Sequence, residues 1–149
     1  MYLISACLAG VNCKYNGGNN ECQWVIEFMK DKDCMLVCPE GLGQLPTPRP
    51  PSEFISGRAI DKNGMDITDN LISGAEKTLE KVEKRAAELG QSIELAILKA
   101  NSPSCGCGKI YDGTFSGVLI DGDGIFTAML KEKGIRVITE QQEGSCRKV

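Results

Sequence analysis

Histidine is absent from this chain of 149 residues, and its absence excludes several kinds of site. Ser-His-Asp and Cys-His catalysis, histidine-ligated zinc, haem with a proximal histidine and Rieske clusters all need an imidazole. Any metal site must therefore use sulfur or carboxylate ligands. Soft thiolates favour zinc or iron–sulfur clusters.

A dominant charge and a long apolar run are also lacking. The chain has 17 Lys and Arg against 20 Asp and Glu, for a formal net charge of −3, with no basic block. We therefore expect no nucleic-acid polymer as a partner. No apolar run approaches the roughly 18 residues of a membrane span, and the first residues show no signal-peptide pattern. We expect no membrane association and a cytoplasmic location.

Cysteine, by contrast, is abundant. There are eight cysteines, at positions 7, 13, 22, 34, 38, 105, 107 and 146. In a reducing compartment such a number indicates metal ligation or thiol chemistry more than a disulfide framework.

Short apolar runs alternate with helical patterns along the chain. Strands are predicted at 2–6, 35–37, 93–98 and 135–138, and helices at 21–32, 69–89 and 125–133. This alternation predicts right-handed crossovers and a mostly parallel sheet with helices on both faces. We predict a single Rossmann-like three-layer α/β domain with about four strands over residues 1–139, followed by a polar tail over 140–149. The Gly- and Pro-rich segment 39–51 is predicted to be an ordered loop within the domain.

Three cysteines follow predicted strands directly or after a short loop. They are Cys7, Cys38 and Cys105, each among turn-forming residues. The carboxyl ends of parallel strands share one edge of a sheet, where ligands collect. Backbone N–H groups in such loops stabilise the negative charge of clustered sulfur. We therefore predict that the three sulfurs lie close together.

The remaining cysteines are interpreted differently. Cys22, Cys34 and Cys146 are typical of small core residues. Cys13 is six residues beyond Cys7, and Cys107 is two beyond Cys105. Either could be a ligand or a reserve thiol, and spacing alone does not choose between them.

Three ordered blocks carry a resemblance to a known family. The blocks are residues 5–17 (SACLAGVNCKYNG), 38–51 (CPEGLGQLPTPRPP) and 98–106 (LKANSPSCG), the last running on to 109–115 (KIYDGTF). From about residue 3 to 139 the chain resembles the thiouracil desulfidase family. It departs from the family pattern at Lys14 and Asn16, where Arg and Asp are expected, and at Cys107, where a small residue is usual.

The resemblance implies a cofactor and a reaction. The cofactor would be a [4Fe–4S] cluster held by Cys7, Cys38 and Cys105, with one iron lacking a protein ligand. The reaction would be hydrolytic, non-redox removal of sulfur from a small thiolated nucleobase such as 2-thiouracil, with the open iron accepting the sulfur.

Polar residues of the same blocks are candidates for catalysis and binding. Glu40, two residues after Cys38, is the candidate general base, although a loop carboxylate can also cap backbone N–H groups. By resemblance Ser102 is a catalytic candidate. Ser104 and Arg49 are substrate-binding candidates, although serines in a turn often serve the turn and an arginine can pair with a carboxylate.

Two other functions compete with the desulfidase. A non-catalytic iron–sulfur or sulfide carrier would have no need of a base such as Glu40. A structural zinc protein needs four closed ligands, which the three cysteines would supply only with Cys13 or Cys107 as the fourth.

Overall fold

The structure is a computed structural model that describes residues 1–143. Cys146 and most of the predicted tail lie outside the described residues, so the core role expected of Cys146 stays a prediction. The helices are α1 (Gln23–Met29), α2 (Pro39–Leu42), α3 (Thr68–Leu89) and α4 (Ile125–Glu132), with a 3₁₀ turn at Ala6–Ala9. The strands are β1 (Tyr2–Ser5), β2 (Cys34–Val37), β3 (Ser52–Ile55), β4 (Arg58–Asp61), β5 (Leu95–Leu98), β6 (Lys109–Tyr111), β7 (Leu119–Asp121) and β8 (Val137–Thr139).

The central sheet has four parallel strands in the order β2-β1-β5-β8. In register, Ile4 of β1 lies beside Leu36 of β2 on one side and Ile97 of β5 on the other. All four carboxyl ends therefore lie at one edge of the sheet. The predicted α/β class, with a parallel sheet of about four strands, is confirmed.

Both faces of this sheet are covered, because successive side chains of a strand point to opposite faces. Leu3 of β1 packs in a core cluster with Phe126 of α4 and Val82 of α3. Its neighbour Ile4 packs in a second cluster with Val25 of α1. The sheet is thus the middle of three layers, with α3 and α4 on one face and α1 on the other.

The longest helix follows the apolar stripe that the sequence predicts. α3 spans Thr68–Leu89, one residue longer than the predicted 69–89, and buries one face. Gly90 ends the helix in a left-handed conformation (φ 64°), and its N–H donates to the carbonyl oxygens of Ala86 and Ala87. Glycine adopts this conformation without the steric penalty of a Cβ, so it ends the helix at that point.

Some elements were not predicted. The segment predicted as a loop begins with the short helix α2, because Pro39 occupies a first-turn position that needs no N–H donor. Two antiparallel hairpins, β3–β4 and β6–β7, lie outside the parallel sheet. Within the described residues, no helix is long and apolar enough to cross a membrane.

Close backbone packing fixes α2 on α3. A Cβ built on Gly74 of α3 would lie 2.0 Å from the carbonyl oxygen of Pro39, and one built on Gly43 would lie 2.2 Å from that of Asn70. No real Cβ makes such contacts, so only glycine fits at either position. The position of Cys38, the residue before α2, therefore depends on these two glycines.

Candidate active site

A cavity of about 480 Å³ lies at the carboxyl edge of the parallel sheet. Its wall includes Ser5 at the end of β1, Val37 at the end of β2 and Ala100 just beyond β5. Ligands of open α/β sheets bind at this edge. Four cysteines also line the cavity, namely Cys7, Cys13, Cys38 and Cys105.

The three predicted ligand cysteines come from three different local structures. Cys7 lies in the 3₁₀ turn after β1, and Cys38 is the residue before the first turn of α2. Cys105 lies in the turn beyond β5, where its N–H donates to Ser102 Oγ over 2.8 Å. The structure thus brings all three residues to one cavity from positions far apart in the chain.

The thiols of Cys7 and Cys38 are both shifted toward the thiolate form. The pKa of Cys7 is lowered to about 7, first by a hydrogen bond from Cys13 and further by Asn20, whose Nδ2 donates to Cys7 Sγ over 3.4 Å. The pKa of Cys38 is lowered to about 6, first by Cys13 and then by the backbone N–H of Gly41. Thiolates are the form that binds soft metal ions.

The thiols of Cys13 and Cys105 are shifted toward the protonated form. The pKa of Cys13 is raised because its thiol donates hydrogen bonds to Cys38 and Cys7. The pKa of Cys105 is raised by burial, which a hydrogen bond with Ser5 partly offsets. A buried thiol of this kind becomes a thiolate when a metal replaces its proton.

Cys13 and Cys107, whose roles the sequence spacing left open, lie in different environments. Cys13 lines the cavity between Cys7 and Cys38, whereas Cys107 packs against the first core cluster and donates to the carbonyl oxygen of Val137. Cys22 and Cys34 pack against the second core cluster.

Glu40 and Arg49 form an ion pair in the wall of the cavity. Glu40 Oε2 lies 3.7 Å from Arg49 Nη2, and the two side chains are 20% and 5% exposed. Burial raises the pKa of Glu40, while the charge of Arg49 opposes the rise. The site therefore holds a carboxylate of increased basicity beside its thiols.

The Arg49 guanidinium is fixed in place by hydrogen bonds to other residues of the chain. It donates to Thr47 Oγ1 over 2.9 Å and to the carbonyl oxygen of Cys13 over 3.0 Å. Its Nε is buried without a hydrogen-bond partner among the described residues. A buried donor without a partner is rare and calls for an explanation, such as a missing ligand or water.

The two serines occupy different places. Ser102 lines the cavity, and its Oγ accepts the N–H of Cys105, which leaves its own proton available. Ser104 is 1% exposed, its Oγ has no partner within residues 1–143, and it does not line the cavity. Its carbonyl oxygen instead accepts the N–H of Phe126 at the start of α4. The structure therefore gives Ser104 no direct access to a substrate in this cavity.

Several residues of the site were not singled out from the sequence. Lys99 lines the cavity, and its positive charge lowers the pKa of Cys7. It forms an ion pair of 3.0 Å with Glu140, whose backbone oxygen also accepts the indole N–H of Trp24. Glu140 is thus held against the domain although it falls in the predicted tail; the domain boundary stays a prediction.

The thiols of the cavity are chemically suited to the iron–sulfur cluster that the resemblance implies. Within residues 1–143, no three Cys, Asp or Glu side chains are placed to hold one ion. In a cluster each thiolate binds a separate iron, so the sulfurs need not converge on one atom. Three thiols that open on one cavity, two of them with lowered pKa values, are suitable ligands for such a group.

The fold and the cavity together define an α/β protein with a thiol-lined site and a partly buried carboxylate at the carboxyl edge of its sheet. The family model for 2-thiouracil desulfurase matches residues 2–142. The chain therefore belongs to the 2-thiouracil desulfurase family, which is a family of enzymes.

Two relatives cover nearly the whole chain. The uncharacterized protein YbbK of Bacillus subtilis (strain 168) is 41% identical over 152 residues, which span 95% of this chain and 97% of YbbK. The solved structure of the [4Fe-4S]-dependent thiouracil desulfidase TudS superposes with a TM-score of 0.81 at 38% identity. That match covers 95% of this chain and 91% of the TudS chain.

Proposed function

We propose that this chain is an iron–sulfur-dependent desulfidase that hydrolyses the thiocarbonyl group of a small thiolated nucleobase of the 2-thiouracil type. Water supplies the new carbonyl oxygen and the sulfur leaves as sulfide, so the reaction has no net redox change. Membership of the family and the name of the structural neighbour support this reaction. The observation that carries the proposal is one cavity with three thiols of the predicted ligand set beside a partly buried carboxylate.

Cys7, Cys38 and Cys105 would hold a [4Fe–4S] cluster. With three protein ligands, such a cluster would leave one iron open and would supply a Lewis acid toward the thiocarbonyl group. The hydrogen bond from Asn20 Nδ2 to Cys7 Sγ orients that thiolate. The charge of Lys99 stabilises the negative charge of the thiolate.

Glu40 would act as the general base. Its carboxylate accepts a proton from the water that attacks the carbon atom bonded to sulfur, a role that needs a carboxylate within hydrogen-bond reach of the water. Arg49 holds the Glu40 carboxylate from one side, and it has a buried Nε–H without a partner in the described residues. The guanidinium thereby keeps the carboxylate oriented in the wall of the cavity.

Ser102 would donate its hydroxyl proton toward the substrate, since its oxygen already accepts the N–H of Cys105. Charge develops on the substrate's nitrogen and sulfur as water attacks, and a positioned donor stabilises that charge. A cytoplasmic location stays a prediction.

The test replaces Glu40 and measures iron and turnover separately. Protein prepared without oxygen is assayed for iron and sulfide per chain and for conversion of 2-thiouracil to uracil. For Glu40→Gln we expect unchanged iron and a turnover reduced by ~10²- to 10⁴-fold, the usual cost of losing a general base. Glu76→Gln, on the exposed face of α3, is the matched control and should keep full turnover.

Three results would oppose the proposal in different ways. Undiminished turnover in Glu40→Gln would rule out the general-base role, and loss of iron in that variant would make Glu40 a ligand or a structural residue. A wild-type protein with a full cluster and no conversion of 2-thiouracil would instead favour the sulfide-carrier alternative.

A further inference from the structure

The cavity is also lined by an aromatic ring that does not belong to any hydrophobic core cluster of the described residues. Phe115 lines the cavity and is half-buried. It belongs to none of the three core clusters of the described residues. Phe54 and Phe126, by contrast, pack in those cores. A large apolar side chain that is partly exposed in a cavity is typical of a ligand contact.

The backbone at Phe115 is held in an unfavourable conformation. Its φ is 55°, in the left-handed region that non-glycine residues seldom adopt. Such a conformation is unfavourable for a residue with a Cβ and persists where surrounding contacts impose it, often at ligand sites.

The contacts that impose it come from one carboxylate. Glu53 Oε1 accepts the backbone N–H of Gly113 over 3.0 Å and that of Phe115 over 3.0 Å. Glu53 lies on β3 and is only 9% exposed. A Cβ on Gly113 would lie 2.6 Å from the carbonyl oxygen of Phe54, so the loop approaches β3 as closely as glycine allows. The loop between β6 and β7 is thereby attached to β3 at two points.

We propose that Phe115 is a stacking platform for the planar ring of the substrate, and that Glu53 is the positioning residue that fixes this platform. The proposal rests on the proposed function, because it assigns the substrate's aromatic ring to a particular wall of the same cavity. Stacking on an aromatic side chain accepts any planar heterocycle, so Phe115 selects for ring planarity. The polar groups on the sheet side select for the thiocarbonyl.

The experiment compares uracil with 5,6-dihydrouracil, which has the same hydrogen-bonding groups but a puckered, non-aromatic ring. Binding of each to the cluster-loaded protein is measured by equilibrium dialysis without oxygen, and KM and kcat for 2-thiouracil are measured in parallel. Wild type should bind uracil more tightly than dihydrouracil. Phe115→Ala should weaken uracil binding by ~5- to 100-fold, the range found for loss of one base–aromatic stack, and should remove the preference over dihydrouracil.

The kinetic result follows from the same contact. Stacking holds substrate and transition state alike, so Phe115→Ala should raise KM with little change in kcat. Phe115→Tyr keeps the ring and should retain the preference for uracil. Glu53→Ala should reproduce the loss, whereas Glu53→Gln keeps an oxygen acceptor for both N–H groups and should lose less.

Leu119→Ala is the control for general damage to the β6–β7 hairpin, because Leu119 is 41% exposed and does not line the cavity. It should bind both compounds as wild type does. The proposal is overturned if wild type does not distinguish uracil from dihydrouracil, or if Phe115→Ala keeps that distinction. Dialysis needs no turnover, so absence of 2-thiouracil conversion in wild type would refute the proposed function and leave this test of the platform intact.

Discussion

The two walls of the cavity are built in different ways. The sheet wall consists of residues at the carboxyl ends of β1, β2 and β5 together with α2, and it contains the cysteines and Glu40. The hairpin wall consists of β3 and the β6–β7 loop, and it contains Glu53 and Phe115. The sheet wall rests on buried strands and on the packing of α2 against α3. In the hairpin wall, the β6–β7 loop is attached to β3 by two hydrogen bonds to Glu53 and by the close approach of Gly113.

This difference indicates a division of roles. A cluster needs several ligands at fixed positions, which a buried parallel sheet with close helix packing supplies. A substrate enters and leaves the cavity, so the wall that contacts it does not have to be part of the stable core of the protein. Substitutions in the sheet wall should therefore change stability, whereas substitutions on the exposed face of the hairpin wall should not.

The largest expected loss of stability comes from Gly74→Ala in α3. The added Cβ would meet the carbonyl oxygen of Pro39, a backbone atom that cannot move without displacing α2. Overpacking of this kind costs about 3 kcal/mol at its upper usual range, equivalent to a fall in Tm of about 6–12 °C for a chain of this size. Thermal unfolding measures it, with the exposed Glu76→Ala on the same helix as control. An unchanged Tm would show that α2 packs loosely on α3.

A smaller loss is expected from Arg49→Met. The change removes the hydrogen bonds to Thr47 and Cys13 and leaves the Glu40 carboxylate unpaired. Breaking a fully buried pair costs 3–5 kcal/mol, but Glu40 is partly exposed and can bind a proton, so we expect about 2 kcal/mol. Arg49→Lys keeps the charge without the planar fork and should lose less. If Arg49→Met and Arg49→Lys have the same Tm as wild type, Arg49 does not stabilise the sheet wall.

The smallest effect is expected on the outer surface of the β6–β7 hairpin. Lys109 and Asp121 form an ion pair between the two strands, but their side chains are 58% and 90% exposed. Solvent screens such exposed pairs, so they contribute little to stability. Lys109→Ala should therefore leave the denaturant midpoint of unfolding unchanged within error, at low and at high salt. A clear loss of stability in denaturant unfolding would show that the hairpin wall contributes to stability as the sheet wall does.

The sheet wall is also the part that the sequence predicts well. Four apolar runs and an amphipathic helix with a terminal Gly90 predict the parallel sheet and α3, and they place Cys7 and Cys38 just beyond strands. In a parallel sheet, the crossover connections bring the carboxyl ends of all the strands to one edge, where ligands bind. The sequence therefore indicates where these cysteines lie before any contact is known.

The hairpin wall escapes this kind of prediction for physical reasons. β3 and β4 have only four residues each and β6 and β7 only three, too short for a clear alternation of apolar and polar residues. Glu53 reaches Gly113 across 60 positions of sequence, a contact that neither local segment indicates. Phe115 lies in a block that the family resemblance includes, but nothing in that block shows where its ring lies.

Cys13 and Cys107 illustrate the same limit. Both are close in sequence to a predicted ligand, yet Cys13 opens on the cavity and Cys107 on a core cluster. The conformation of the turn around each cysteine determines where its side chain points. The spacing of cysteines in the sequence does not specify that conformation. The ligand set of the cluster stays a prediction that solution measurements must test.

Iron bound per chain in single Cys→Ser variants tests the central claim most directly. After reconstitution without oxygen, wild type should contain about four iron atoms per chain, as a [4Fe–4S] cluster requires. Cys7→Ser, Cys38→Ser and Cys105→Ser should each lose most of this iron, because a hydroxyl is a poor substitute for a thiolate. Cys22→Ser and Cys34→Ser, which do not line the cavity, should keep it. Full iron in any of the first three variants, or zinc in place of iron in wild type, would contradict the account.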